Sequence, residues 1–87
     1  MKLVIAILKD DDTESVVQAL TAQDFRATRV ASTGGFFHKG STTLLIGVDD
    51  KQVDAAIKVI QKNTAPVEPG EKRATIFVVP VERFEQL

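Results

Sequence analysis

Residues 42–60, TTLLIGVDDKQVDAAIKVI, contain a strand and a helix in direct succession, and their two periodicities decide the fold. Thr42–Val48 is an apolar and β-branched run that reads as a strand. Asp49 or Asp50 then opens a helix in which Val53, Ala56, Ile57 and Ile60 follow i, i+3, i+4, i+7 spacing, which places them on one face.

Working outward, the same alternation of element types recurs. Lys2–Leu8 is a first strand, with Leu3, Ile5 and Ile7 on one face and Val4, Ala6 and Leu8 on the other. Neither face is polar, so both sides of the strand are expected to be covered. Asp11 or Asp12 is the expected cap of a helix over Thr13–Gln23, with Glu14 in its first turn and Val16, Val17 and Leu20 as its apolar stripe. Arg26–Thr33 alternates as a strand. After the second helix, Asn63–Lys72 carries Pro66, Pro69 and Gly70 and reads as a loop. Ala74–Val79 returns to strand before Pro80, which cannot donate to a ladder. In the tail, Val81, Phe84 and Leu87 have the spacing of a short turn docking on the body.

The order βαββαβ predicts an α+β, ferredoxin-like domain: a four-stranded antiparallel sheet with two helices on one face. A chain of 87 residues allows one domain, which buries roughly 60–65% of its extended surface. Two helices cover one face of such a sheet, yet the strand from Lys2 and the strand from Ala74 are apolar on both. The missing cover is expected from loops, the tail or other copies of the chain, so an assembly larger than 9.5 kDa is predicted.

Composition narrows the functional classes. Apolar residues are 44% and charged residues 26% of the chain, as in ordinary globular proteins. Eleven basic side chains nearly balance twelve acidic ones, which argues against non-specific nucleic-acid binding. No apolar run approaches the roughly 20 residues needed to cross a bilayer. The start MKLVIAILKDDD turns acidic too early for a signal peptide. Cysteine is absent, which removes disulfides and thiolate chemistry and fits a cytoplasmic location. His38 is the only histidine and has no adjacent nucleophile, so no catalytic constellation is expected. Asp10–Asp12 and Asp49–Asp50 match no calcium loop and read as helix-terminal acids, so no metal site is expected either.

The chemistry that remains lies in residues 25–47, FRATRVASTGGFFHKGSTTLLIG. Gly34, Gly35, Gly40 and Gly47 match neither a Walker loop nor a dinucleotide fingerprint. They serve either hairpin geometry or close approach of a ligand to backbone. Phe36 and Phe37 are adjacent and cannot share one strand face, so at least one ring is available to an interface or to a planar base, whose stacking is worth about 1–3 kcal/mol. Arg26 and Arg29 should point to opposite faces and do not form one anion clamp. Arg26 is placed to reach a phosphate, and Thr28 shares its face.

FRAT, TGGF and GxTT (Gly40 to Thr43) occur here in a spacing that resembles the PII-like cyclic di-AMP receptor family. The resemblance also takes in MKLVIAILKDDD and the terminal ATIFVVPVERFEQL, so it spans nearly the whole chain. It implies a PII-like, cytoplasmic, non-enzymatic signalling protein without a cofactor. It further implies a homotrimer holding cyclic di-AMP in clefts between subunits, and an unidentified protein partner.

The residues it implies for the ligand are Arg26, Ala27, Thr28, Gly35, Phe36, Phe37, Ser41, Gly47 and Gln86. Phe37 stands where the family has leucine. Ser41 replaces a ligand-contacting asparagine, Asp24 replaces a second asparagine at the pocket edge, and Asn63–Lys72 is much shorter than the family's loop. Two alternatives stand beside this reading: a trimeric adaptor without the dinucleotide pocket, and a PII-like sensor of ATP, ADP or AMP.

Overall fold

The computed structural model describes residues 1–30 and 40–87. Its elements are β1 (Lys2–Lys9), α1 (Asp10–Ala22), β2 (Ala27–Val30), β3 (Ser41–Val48), a 3₁₀ turn (Asp50–Gln52), α2 (Val53–Lys62) and β4 (Ala74–Pro80). The strands form one antiparallel sheet in the order β2-β3-β1-β4. β3 therefore lies between β1 and β2, and β1 lies between β3 and β4. This interleaving of two β-α-β halves is the ferredoxin-like arrangement expected from the order of elements.

Register determines which side chains share the core. Val4 pairs with Ile46, Ala6 with Leu44 and Ile76, and Lys2 with Val48. Period-2 alternation sends Val4, Ala6 and Leu8 to the side of the sheet that meets Val16 and Leu20 of α1 and Ala56, Val59 and Ile60 of α2, all buried. Leu44, Ile46 and Val48 of β3 join them. The i, i+3, i+4, i+7 stripe of α2 predicted this packing, with Val53 and Ile57 at its half-buried margin.

The start of α1 differs from expectation. Lys9 occupies the N-cap position, no side chain caps the helix, and Asp10, Asp11 and Asp12 are its first three residues. The carboxylates remain favourable there because the helix N-terminus carries partial positive charge. Two of them also have partners outside the helix: Asp10 accepts from the Thr42 hydroxyl, and Asp12 accepts from the Ala65 N–H. The Thr13 hydroxyl donates to the Lys9 carbonyl, 3.1 Å away. The second helix is likewise preceded by a 3₁₀ turn with no side-chain cap, so Asp49 and Asp50 do not cap it.

α1 ends in a Schellman arrangement. The N–H of Phe25 donates to Leu20 and that of Asp24 to Thr21, with Asp24 at φ 65°. Phe25 is buried beside Leu20 in the core, the apolar contact that accompanies this motif. After α2, Asn63 Nδ2 and the Thr64 hydroxyl donate to the Val59 and Gln61 carbonyls, satisfying the helix end. Glu68–Glu71 closes a turn with Pro69 and Gly70 at its centre, and Gly70 holds φ 92°, as a type II turn requires.

The strand predicted over Arg26–Thr33 is described only as Ala27–Val30, and residues 31–33 lie outside the described residues. The tail after β4 carries no regular secondary structure: Val81 is half-buried and its N–H donates to Met1, whereas Phe84 and Leu87 are exposed.

Candidate functional site

The sheet face opposite the helices is apolar and open. Leu3, Ile5 and Ile7 of β1 pair with Gly47, Leu45 and Thr43 of β3, and Ile5 and Leu3 pair with Phe77 and Val79 of β4. Leu3, Ile5, Ile7 and Leu45 are half-buried, and Phe77 is 53% exposed. Within one copy of the chain, β1 is thus fully buried on its helix side and half-buried on the other among the described residues.

At the end of this face nearest Gly47, the sheet and the tail enclose a cleft of about 450 Å³. Leu3, Leu45 and Gly47 form its floor. β2 contributes Thr28, opposite Leu45 in the ladder, and Arg26 stands just before the strand. Met1 and the tail residues Val81, Phe84 and Gln86 complete the lining. The Val81 N–H donates to the Met1 carbonyl at 3.2 Å, which fixes where the tail leaves β4. The Met1 amino group is 3.1 Å from Asp50 and holds that carboxyl below its ordinary range.

The two arginines separate as β alternation requires. Arg29, opposite Leu44, lies on the helix side, and its guanidinium meets Glu14 of α1 at 2.5 Å. That hydrogen bond, with the attraction of opposite charges, lowers the Glu14 pKa. Arg26 lines the cleft and has no salt-bridge partner among the described residues. Its five donors are therefore available to an anion.

Four of the residues implied by the resemblance, Arg26, Thr28, Gly47 and Gln86, line this cleft together, although they come from three separated parts of the chain. Ala27 packs against the core on the helix side, so its side chain is turned away from the cleft. Ser41 sits at the opposite end of β3 beside Lys9, six residues from Gly47 and so about 20 Å along the strand. Gly35, Phe36 and Phe37 lie outside the described residues. Asp24 belongs to a neighbouring concavity of about 220 Å³ with Asp49 and Gln52, which meets the cleft at Met1 and Gly47. Among the described residues no cluster of histidine and carboxylate side chains is arranged to hold a metal ion.

Sequence reasoning did not anticipate Met1, Leu3, Leu45, Val81 and Phe84 in the lining. For Val81 and Phe84 the signal was present, since two apolar residues in a short charged tail need a surface to lie on. Leu3 and Leu45 carried no such signal, because strand alternation alone does not say which face stays open.

The interleaved sheet and the helices on one face define an α+β, ferredoxin-like domain of PII-like topology. The sequence pattern of the family described as "Cyclic-di-AMP receptor" matches residues 1–68, and the chain belongs to that family. It is accordingly a cyclic-di-AMP-receptor-like signalling protein. Among solved structures, it is similar to a functionally unknown protein from Pediococcus pentosaceus ATCC 25745. The two share 34% identity over 99% of this chain and 96% of that one, with a TM-score of 0.77. No helix among the described residues is long and apolar enough to cross a membrane.

Proposed function

We propose that this chain is a cytoplasmic, homotrimeric receptor that binds cyclic di-AMP in clefts between neighbouring subunits and passes the bound state to a protein partner. The observation that carries the reading is the convergence of Arg26, Thr28, Gly47 and Gln86 on one cleft. Its volume of about 450 Å³ lies within the range of small-molecule sites. Its chemistry suits a dinucleotide. A guanidinium can grip phosphate oxygens through two parallel charge-assisted bonds. The Gln86 carboxamide offers both a donor and an acceptor to a base edge, and Phe84 offers a ring face. Phe36 would add an apolar or stacking surface for adenine, as the resemblance implies, whereas Ser41, about 20 Å along β3 from Gly47, stands outside this cleft.

The intersubunit placement rests on the floor of the cleft. Leu3 and Leu45 belong both to the cleft and to the open apolar face. A neighbouring copy that covers Ile5, Ile7 and Phe77 would therefore also wall the cleft. Burying such side chains stabilises an assembly by about 1.5–3 kcal/mol each when the burial is complete.

Titration calorimetry of the purified chain with cyclic di-AMP, ATP, ADP and AMP tests the reading. Binding of cyclic di-AMP in preference to the mononucleotides, at one site per subunit, is expected. Preference for a mononucleotide would select the adenine-nucleotide sensor instead. No heat with any of them at high micromolar concentration would select the adaptor.

A further inference from the structure

At the end of the sheet away from the cleft, the turn joining β1 to α1 holds two other parts of the chain at once. The Asp10 N–H donates to the Gly40 carbonyl at 2.8 Å, and the Asp10 carboxylate accepts from the Thr42 hydroxyl. Both contacts fix the start of β3, where the β2–β3 connection ends. Two residues further on, buried Asp12 accepts the Ala65 N–H at 3.2 Å, and Ala65 opens the α2–β4 connection. Lys9, just before them, lies 3.8 Å from Glu71 at the far side of that connection.

We propose that Asp10 and Asp12 act as one positioning unit, coupling the start of β3 to the connection between α2 and β4. Both aspartates stand in the first turn of α1, where backbone dihedrals are fixed together and one residue cannot shift without its neighbours. The second oxygen of Asp12 is buried with no partner among the described residues, so displacing the carboxylate from Ala65 would leave more of it unsatisfied. A pull on Gly40 or Thr42 is therefore felt at Ala65. The surface formed by residues 63–73 is the part of the molecule that would report an event at the β2–β3 connection. This extends the receptor reading by naming a route for its signal, and the ligand arm of the test rests on that reading.

Amide hydrogen exchange, followed by NMR on the full chain, decides the matter without ligand. Thr42→Val keeps a β-branched side chain in β3 but removes the hydroxyl that donates to Asp10. The expected result is roughly tenfold faster exchange at the Ala65 amide as well as at Asp10, with Thr42→Ser restoring wild-type rates. Asp12→Ala should in turn speed exchange at Asp10, whereas Arg29→Ala, which cuts an exposed ion pair on the same helix, should leave Ala65 unchanged. Faster exchange at Asp10 with wild-type exchange at Ala65 in Thr42→Val would overturn the coupling. With cyclic di-AMP added, Ala65 exchange should change in the wild type and not in Thr42→Val. Absence of any binding would count against the receptor reading alone, since the ligand-free comparison stands without it.

Discussion

Gly47 faces Leu3 across the β1–β3 ladder, and a Cβ built on it would stand 3.1 Å from Met1 Cε. Among the described residues the only close neighbour is the far end of a flexible side chain, which can yield by a few tenths of an ångström. Gly47→Ala should therefore fold, with stability within about 1 kcal/mol of wild type, because alanine is also the better strand residue. The new methyl group enters the cleft floor, so affinity for cyclic di-AMP should fall at least about tenfold, or about 1.4 kcal/mol. Thermal unfolding and calorimetry on the same sample separate the two effects. Unchanged affinity would place the ligand elsewhere.

Arg26 and Arg29 provide an internal control. Removing the cleft-facing guanidinium in Arg26→Ala costs a charge-assisted contact of about 1.5–3 kcal/mol, an affinity loss of roughly ten- to a hundredfold. Arg29→Ala alters an exposed pair with Glu14 on the other side of the sheet and should leave affinity within about twofold. Equal losses in the two variants, measured by calorimetry, would refute the assignment of Arg26 to the ligand.

Asp24 holds a positive φ of 65° at the helix end, where glycine is unstrained. Asp24→Gly should raise unfolding stability by about 0.5–1 kcal/mol, read from the midpoint of urea denaturation. Because Asp24 does not line the cleft, the same variant should bind ligand as the wild type does.

The Glu14 carboxyl titrates below its ordinary value of 4.5 because of the hydrogen bond and charge of Arg29. A depressed folded pKa means that this stabilisation is fully present above the unfolded value and is lost as pH falls through the folded one. Melting temperatures of wild type and Arg29→Ala should thus differ by a constant amount at neutral pH and converge below about pH 4.5. A difference that persists to pH 2 would mean that Arg29 acts by packing.

The open sheet face predicts an assembly larger than 9.5 kDa, and the proposed homotrimer a solution mass of three times that value by light scattering. Ile5→Glu places a charge at the centre of that face without touching the buried helix side. It should shift the protein toward a monomer while circular dichroism keeps its mixed α/β signature. A monomeric wild type would leave the apolar face without the partner proposed for it.

Much of the fold was legible because periodicity is local. The apolar positions of Val53, Ala56 and Ile60 fix a helix face, and the short apolar, β-branched run Thr42–Val48 fixes a strand, whatever lies nearby. The opposition of Arg26 and Arg29 followed from the same arithmetic. Capping was misjudged because the three aspartates look alike in sequence. Only contacts with Thr42 and Ala65, 32 and 53 residues away, show that they belong inside the first turn.

The sequence by itself determined the order of elements, the apolar stripes of the two helices, the absence of thiol chemistry and, through FRAT, TGGF and GxTT, the family. Tertiary structure alone decided that Arg26, Thr28, Gly47 and Gln86 share a cleft while Ser41 lies about 20 Å away along β3. It also decided that Met1 and Phe84 stand beside them. The physical reason is that strand pairing brings together residues far apart in the chain. The register of β1 against β3, and the hydrogen bond from Val81 to Met1, are not encoded in any one segment.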